Sequence, residues 1–240
     1  MKLCSKCIDS FTYDLQLSRE VVGGHEFFLE SLQSFENTID QIFERLKDKA
    51  LESAVYALCP YFGALWPSAR ALAEILCSLD KQELDGKTFL EVGCGLALPS
   101  MLASRLGALV MASDFHPDVE LFFSRNIERN SLANVVYRPQ SWGELSGNLG
   151  TFDIIVGSDV LYESKQPEDL AGFLVRTLKS DGVAVITDPK RPYFKDFVKV
   201  MQDSGYTASV QTHLVLDKGD KGNEVKEKEI DSVVLKKIVL

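Results

Sequence analysis

A chain of 240 residues, 45% apolar and 25% charged, has the composition of one large α/β domain or two small ones, which excludes disorder as its overall state. Lys and Arg total 26 against 35 Asp and Glu, a formal charge of −9 with a pI near 4.9, so there is no electrostatic footprint for a nucleic-acid backbone. Cysteines at 4, 7, 59, 77 and 94 are an odd set that argues against a disulfide framework, and neither an apolar leader nor a stretch of roughly 18 apolar residues is present; the expectation is a reduced, soluble, cytoplasmic protein with no membrane partner.

Residues 1–58 read as a helical extension and 59–240 as the main domain. From Phe28 the apolar residues Phe28, Leu32, Phe35, Ile39, Ile42 and Leu46 recur in steps of four and three, which predicts one amphipathic helix with a narrow stripe. That stripe packs on its own domain, joins a second copy in a dimer, or lies over a substrate. Cys4-x-x-Cys7, with His25 or Cys59, has the residue types of a metal site but no second pair at matching spacing, so no metal is expected.

After residue 60 a β/α rhythm sets in. A helix over Pro67–Leu79 has a proline near its first turn, and the strand Thr88–Val92 runs into a glycine-rich turn and another helix. Strands at 108–113, 134–138, 152–158 and 182–187 and helices at 117–130, 167–179 and 192–204 follow, which implies a parallel sheet covered on both faces. Thr207–Leu216 and Asp231–Leu240 are two strand-like runs joined without a helix, so they pair antiparallel at one edge of a sheet of seven strands.

The strongest chemical signal is Leu90-Glu91-Val92-Gly93-Cys94-Gly95-Leu96-Ala97-Leu98-Pro99. Glycines after a buried strand let a ligand approach the backbone, and 21 residues beyond Gly93 a second strand ends in Asp114, whose carboxylate suits the two hydroxyls of a ribose. A dinucleotide fingerprint wants Gly or Ala at position 98 for close helix packing, and Leu98 disfavours it. Glu91 would repel a pyrophosphate but suits a cationic amino-acid group; the alternative is a purely structural link to the loop.

Four segments, Gly63-Ala64-Leu65-Trp66-Pro67-Ser68-Ala69, Leu90–Gly95, Ser141-Trp142-Gly143 and Phe152–Tyr162, resemble the class I, seven-strand S-adenosylmethionine-dependent methyltransferases, and within them the family-sixteen lysine methyltransferases. The resemblance covers about residues 60–206 and implies a Rossmann-like α/β fold with S-adenosyl-L-methionine as cofactor. It places Trp66, Glu91, Gly93, Gly95, Asp114, Trp142 and Ser158 around that cofactor, with Asp159 and Tyr162 facing the methyl group and its acceptor. Ala97 departs from the resemblance, standing where a third loop glycine is common in that group, a change tolerated while its φ stays negative.

In physical terms Trp142 stacks on adenine, Trp66 covers the cofactor, and Phe115 adds apolar cover, each with buried core as its plainer alternative. Asp159 and Tyr162 receive the acceptor's cation, or else form a helix cap and a packing aromatic. His116 is a capping or surface residue, and Lys190 and Arg191 are solvated charges or meet an acidic protein.

The resemblance implies N-methylation of a protein lysine; a small-molecule acceptor and an inactive nucleotide-binding scaffold are the alternatives. Residues 1–60 carry 10 acidic and 6 basic side chains, which would favour a basic acceptor if that segment lies beside the cleft.

Overall fold

The computed structural model describes residues 12–46, 59–143, 149–217 and 225–238. Its first elements correct the expected helix from Phe28. Leu15–Val22 (β1) and His25–Leu32 (β2) form an antiparallel hairpin with Leu15 opposite Leu32 and Val22 opposite His25, and the helix, α1, occupies only Phe35–Leu46.

The hairpin turns at Gly23-Gly24, whose φ values of +54° and +80° are the two left-handed conformations that a tight two-residue turn demands. Phe27 and Leu29 are fully buried on either side of the half-exposed Phe28, a period of two. The helical spacing of Phe28 and Leu32 was a coincidence. Cys4 and Cys7 lie outside the described residues.

A 3₁₀ turn at Tyr61–Gly63 leads into α2 (Pro67–Ser78) and the short α3 (Lys81–Leu84). Then come β3 (Thr88–Val92), α4 (Leu98–Arg105), β4 (Leu109–Asp114), α5 (Val119–Arg129), β5 (Val135–Pro139) and β6 (Phe152–Ser158). The chain closes with α6 (Gln166–Thr177), β7 (Leu178–Asp188), α7 (Pro192–Asp203), β8 (Tyr206–Asp217) and β9 (Lys226–Lys237).

Seven strands form one sheet in the order β5-β4-β3-β6-β7-β9-β8; β5 to β7 run parallel, while β9 is antiparallel to both β7 and β8. This is the expected α/β sheet with its antiparallel C-terminal edge, although the last strand begins at Lys226 rather than Asp231.

Strand addition proceeds outward from β3 to β5 and then jumps back across β3 to β6. That reversal opens a crevice beyond the carboxyl ends of β3, β4 and β6, the place where open parallel sheets bind ligands. Both faces of the sheet are covered. Phe89 joins a core with Leu72 and Leu76 of α2, Met101 of α4 and Phe122 of α5, whereas its neighbour Leu90 joins the opposite core with Leu170 of α6 and Phe197 of α7.

The N-terminal hairpin is fastened to this domain by side chains that complete its ladder. Asn130 accepts the Phe28 N–H at 2.9 Å and donates to the Phe28 carbonyl at 2.8 Å, and one turn earlier Asn126 accepts the Glu30 N–H at 2.7 Å and donates to its carbonyl at 3.2 Å. Two amides four apart, in the last turn of α5 and at its C-cap, thus satisfy two residues two apart on the outer edge of β2, as another strand would.

Arg125 and Arg129 both pair with Glu30, and Arg70 of α2 pairs with Glu20 through a buried two-point contact. Among the described residues no helix is long and apolar enough to cross a membrane.

Candidate active site

The crevice is a cleft that opens to solvent. Trp66, Gly93, Gly95, Asp114, Phe115, Trp142, Ser158, Asp159 and Tyr162 all line it, so nine of the ten residues singled out from the sequence are brought together. They arrive from the carboxyl ends of β3, β4 and β6, from the turn after β5, and from the loop before α2.

Glu91 is the exception. It is almost completely buried, and its Oε2 accepts the backbone N–H of Ser100 at 2.9 Å and the Ser100 hydroxyl at 2.5 Å. Ser100 lies in the first turn of α4, whose N-cap is Ala97, a residue with no side chain to cap with. Glu91 therefore supplies from the adjacent strand the carboxylate that this helix start lacks. Burial pushes its carboxyl group up to about 8, against the lowering effect of the two Ser100 hydrogen bonds.

The backbone of the loop is kept left-handed. Gly93 and Gly95 have φ of +62° and +49°; a Cβ on Gly93 would meet Val160 Cγ1 at 2.6 Å, and one on Gly95 would meet the Phe62 carbonyl oxygen at 3.1 Å. Ala97 also takes a positive φ, +61°, so the condition set on it from the sequence is not met, and the position carries backbone strain of about 1–2 kcal/mol.

Asp114 ends β4, with one oxygen accepting the Gly95 N–H at 3.1 Å and the other accepting the His116 N–H at 3.0 Å. Each carboxylate oxygen keeps an acceptor site beyond those bonds. Burial raises the carboxyl's pKa while the backbone N–H groups oppose the rise. His116 is buried behind it, its Nδ1 accepting the Asp118 N–H at 3.2 Å and its ring 4.4 Å from that of Phe62. Capping was legible in the sequence; the burial was not.

Aromatic side chains form the mouth. Trp66 donates its indole N–H to the Tyr61 carbonyl at 2.8 Å, Tyr61 lies 5.5 Å from Tyr162, and Phe35, the first residue of α1, packs against both Tyr61 and Trp66 at 5.5 and 5.6 Å. The N-terminal segment thus contributes to the rim of the cleft. Trp142 lies near Gly93, while Phe115 is half-exposed on the wall.

Asp159 stands at the end of β6 with φ +60°, its N–H bonded to the Thr187 carbonyl at 3.0 Å. Its Oδ1 pairs with Arg191, and its Oδ2 is buried with no hydrogen-bond partner. Asp188, at the end of β7, lies against the same guanidinium; burial pushes its carboxyl group up to about 6. Tyr162 is half-buried, and its phenol is held well above its usual range, chiefly by desolvation.

Residues 53–204, more than half of the chain, match the protein family described as lysine methyltransferase. The chain belongs to that family. Among curated relatives of this lysine methyltransferase family member, the histone-arginine methyltransferase METTL23 of Xenopus laevis is 38% identical over 47% of this chain and 50% of its own length. The calmodulin-lysine N-methyltransferase of Arabidopsis thaliana is 33% identical over 65% of this chain and 58% of its own. The chain spans about half the length of the curated relatives it matches.

The fold is that of solved methyltransferases. The precorrin-6y C5,15-methyltransferase of Geobacter metallireducens GS-15 superposes with a TM-score of 0.56 at 21% identity, over 66% of this chain and 85% of that one. The magnesium protoporphyrin IX methyltransferase of Synechocystis PCC 6803, solved with S-adenosylmethionine, gives 0.52 at 19% identity, over 68% and 76%.

Several residues of the cleft escaped sequence reasoning. Tyr61, Phe62 and Val160 line it and adjoin motifs that were singled out, so proximity to Trp66 and to Asp159 was the available signal. Arg191 was read as a solvated or partner-facing charge. The structure turns it inward onto Asp159 and Asp188, a contact between two strand ends that no local pattern encodes.

Proposed function

We propose that the protein is a cytoplasmic S-adenosylmethionine-dependent N-methyltransferase, with 59–240 as its catalytic domain, and that its acceptor is a protein lysine side chain. The observation that carries this reading is Asp159: a buried carboxylate on the cleft wall beside Tyr162, with one oxygen lacking any partner. An unsatisfied buried carboxylate oxygen is costly, and a cationic N–H donor relieves it. Cys59, Cys77 and Cys94 are free thiols, in keeping with a reducing compartment.

The cofactor half of the cleft fits the same reading. Left-handed Gly93 and Gly95 put bare backbone on the cleft wall, Asp114 has acceptor sites in reserve for ribose hydroxyls, and the rings of Trp142 and Phe115 offer faces for adenine. When bound, S-adenosylmethionine supplies a methyl group already activated by the positive sulfonium.

The chain's residues then bring a neutral amine into line within about 3–3.5 Å. A lysine ammonium has a pKa near 10.4 and must first lose a proton. Asp159 attracts and orients it, although a carboxylate alone raises the amine's pKa; desolvation within the aromatic rim lowers it, and Tyr162 offers a ring face and a hydroxyl.

Relatives named for calmodulin lysine and for histone arginine both act on proteins by those names, which supports a protein acceptor over a small molecule. The histone-arginine relatives also give a guanidinium acceptor as the second reading. Labelled methyl transfer into a cell lysate tests both. Label in protein, recovered as methyl-lysine after hydrolysis, supports the reading; recovery as methylarginine favours the second, and label confined to the low-mass fraction overturns both.

A further inference from the structure

Asp188-Pro189-Lys190-Arg191-Pro192 forms the turn from β7 into α7, and it is fixed at several points. Asp188 Oδ1 accepts the Arg191 N–H at 2.5 Å, Lys190 adopts φ +64° while its ammonium pairs with Glu229 and lies 3.9 Å from Asp231, and Pro192 opens α7. Arg191 is thereby aimed across the strand ends: its Nη1 donates to Asp159 Oδ1 and stands 3.4 Å from Asp188 Oδ2. The side chains of Arg191, Asp159 and Asp188 are 29%, 6% and 0% exposed, so this is a buried ion-pair cluster and not a surface pair.

One oxygen of Asp159 is committed by this arrangement and the other is not. Oδ2 is buried without a partner, on a side chain that lines the cleft. We propose that Arg191 is a positioning residue for the methyl acceptor: by occupying Oδ1 of Asp159, it leaves that carboxylate a single receiving oxygen, so the cleft accepts a cation through one point contact and not through a fork.

The chemistry follows from the shapes of the two biological cations. An ammonium is a compact point charge with three rotatable donors and loses nothing at a single oxygen. A guanidinium gains its advantage from two parallel N–H···O bonds to both oxygens of one carboxylate, and Arg191 has already taken half of that fork. Two carboxylates around one guanidinium also leave an excess of one negative charge when both are ionised, which one monocation balances.

This inference rests on Asp159 being the acceptor site of a methyltransferase, and the experiment separates the two. The protein is first titrated with S-adenosylhomocysteine, then, saturated with it, with n-butylammonium and n-butylguanidinium as head-group probes followed by ligand-observed NMR. The wild type is expected to favour the ammonium by about tenfold, the size of one hydrogen bond to a charged group, and Arg191→Met to lose that preference because both oxygens become available.

Failure of the wild type to bind S-adenosylhomocysteine overturns the methyltransferase reading. Binding without ammonium preference, or a preference that persists in Arg191→Met, overturns the role of Arg191 alone. Should Arg191→Met lose S-adenosylhomocysteine binding through misfolding, Arg191→Ser, which removes the cation and is too short to reach Asp159, decides the matter: an unchanged preference overturns the proposal and at least a threefold reduction supports it.

Discussion

Glu91 and Ala97 show how one helix start is assembled from two imperfect residues. Because burial raises the Glu91 carboxyl to about 8 from an ordinary 4.5, the folded state holds its proton more tightly than the unfolded chain. The wild type should therefore lose stability relative to Glu91→Gln as pH rises from 4.5 through 8, by on the order of a few kcal/mol, read as a narrowing or inversion of the difference in Tm. A cation beside Glu91 favours its ionised form, so saturation with S-adenosylhomocysteine should flatten that slope if Glu91 also faces the cofactor's amino group. An unchanged slope would confine Glu91 to its contact with Ser100. For Ala97, whose φ is +61°, glycine removes strain of about 1–2 kcal/mol while giving up a buried methyl and some chain entropy. Ala97→Gly should thus be neutral or stabilising in thermal denaturation, and a loss above about 1 kcal/mol, usual for this change in a helix, would contradict the strain.

At the level of elements, the N-terminal hairpin is the clearest case of a pattern with two meanings. Val22-Gly23-Gly24-His25 with Phe27 and Leu29 alternating behind it is a hairpin signal, yet Phe28, Leu32 and Phe35 also satisfy a helical period. What decides between them lies about a hundred residues away, in Asn126 and Asn130, whose amides complete the outer edge of β2. Local reading had no access to that partner. Replacing Asn130 with Ala leaves the Phe28 N–H and carbonyl unpaired and should cost about 1–3 kcal/mol. The loss should be localised: amide exchange should accelerate across 25–32 and at the rim held by Phe35, while Thr88–Val92 keeps its protection. Uniform acceleration of both would mean that the hairpin unfolds only with the whole domain. Apart from the four-residue α3 and the early start of β7 at Leu178, the strands and helices from 67 to 216 were legible because they carry their own hydrophobic period and a Gly or Pro boundary. Contacts that bridge strand ends, such as Arg191 to Asp159, leave no such trace.

Across the whole molecule, the acidic balance does less at long range than the sequence suggests. Glu20 is paired with Arg70, and Glu30 with Arg125 and Arg129, so part of the N-terminal excess is neutralised in fastening the hairpin and is not presented to a basic acceptor. The strand order does more. Its reversal at β3 sets Asp114, on the β4 side, apart from Asp159, on the β6 side, and each is held by its own neighbours: backbone N–H groups in one case, Arg191 in the other. Two carboxylates fixed by separate elements can fail separately. Asp114→Ala should weaken S-adenosylhomocysteine binding about tenfold or more by calorimetry, since it removes charged acceptors for the ribose and releases the Gly95 N–H. Asp159→Asn should leave that affinity within about twofold while lowering turnover, because it discharges the oxygen that orients the acceptor but keeps a hydrogen-bond acceptor for Arg191. Tyr162→Phe belongs with Asp159 and should behave in the same way. Parallel losses of affinity and turnover in all three variants would mean that the cleft acts as one site without separate donor and acceptor halves, and the sheet's reversal would then position the cofactor only.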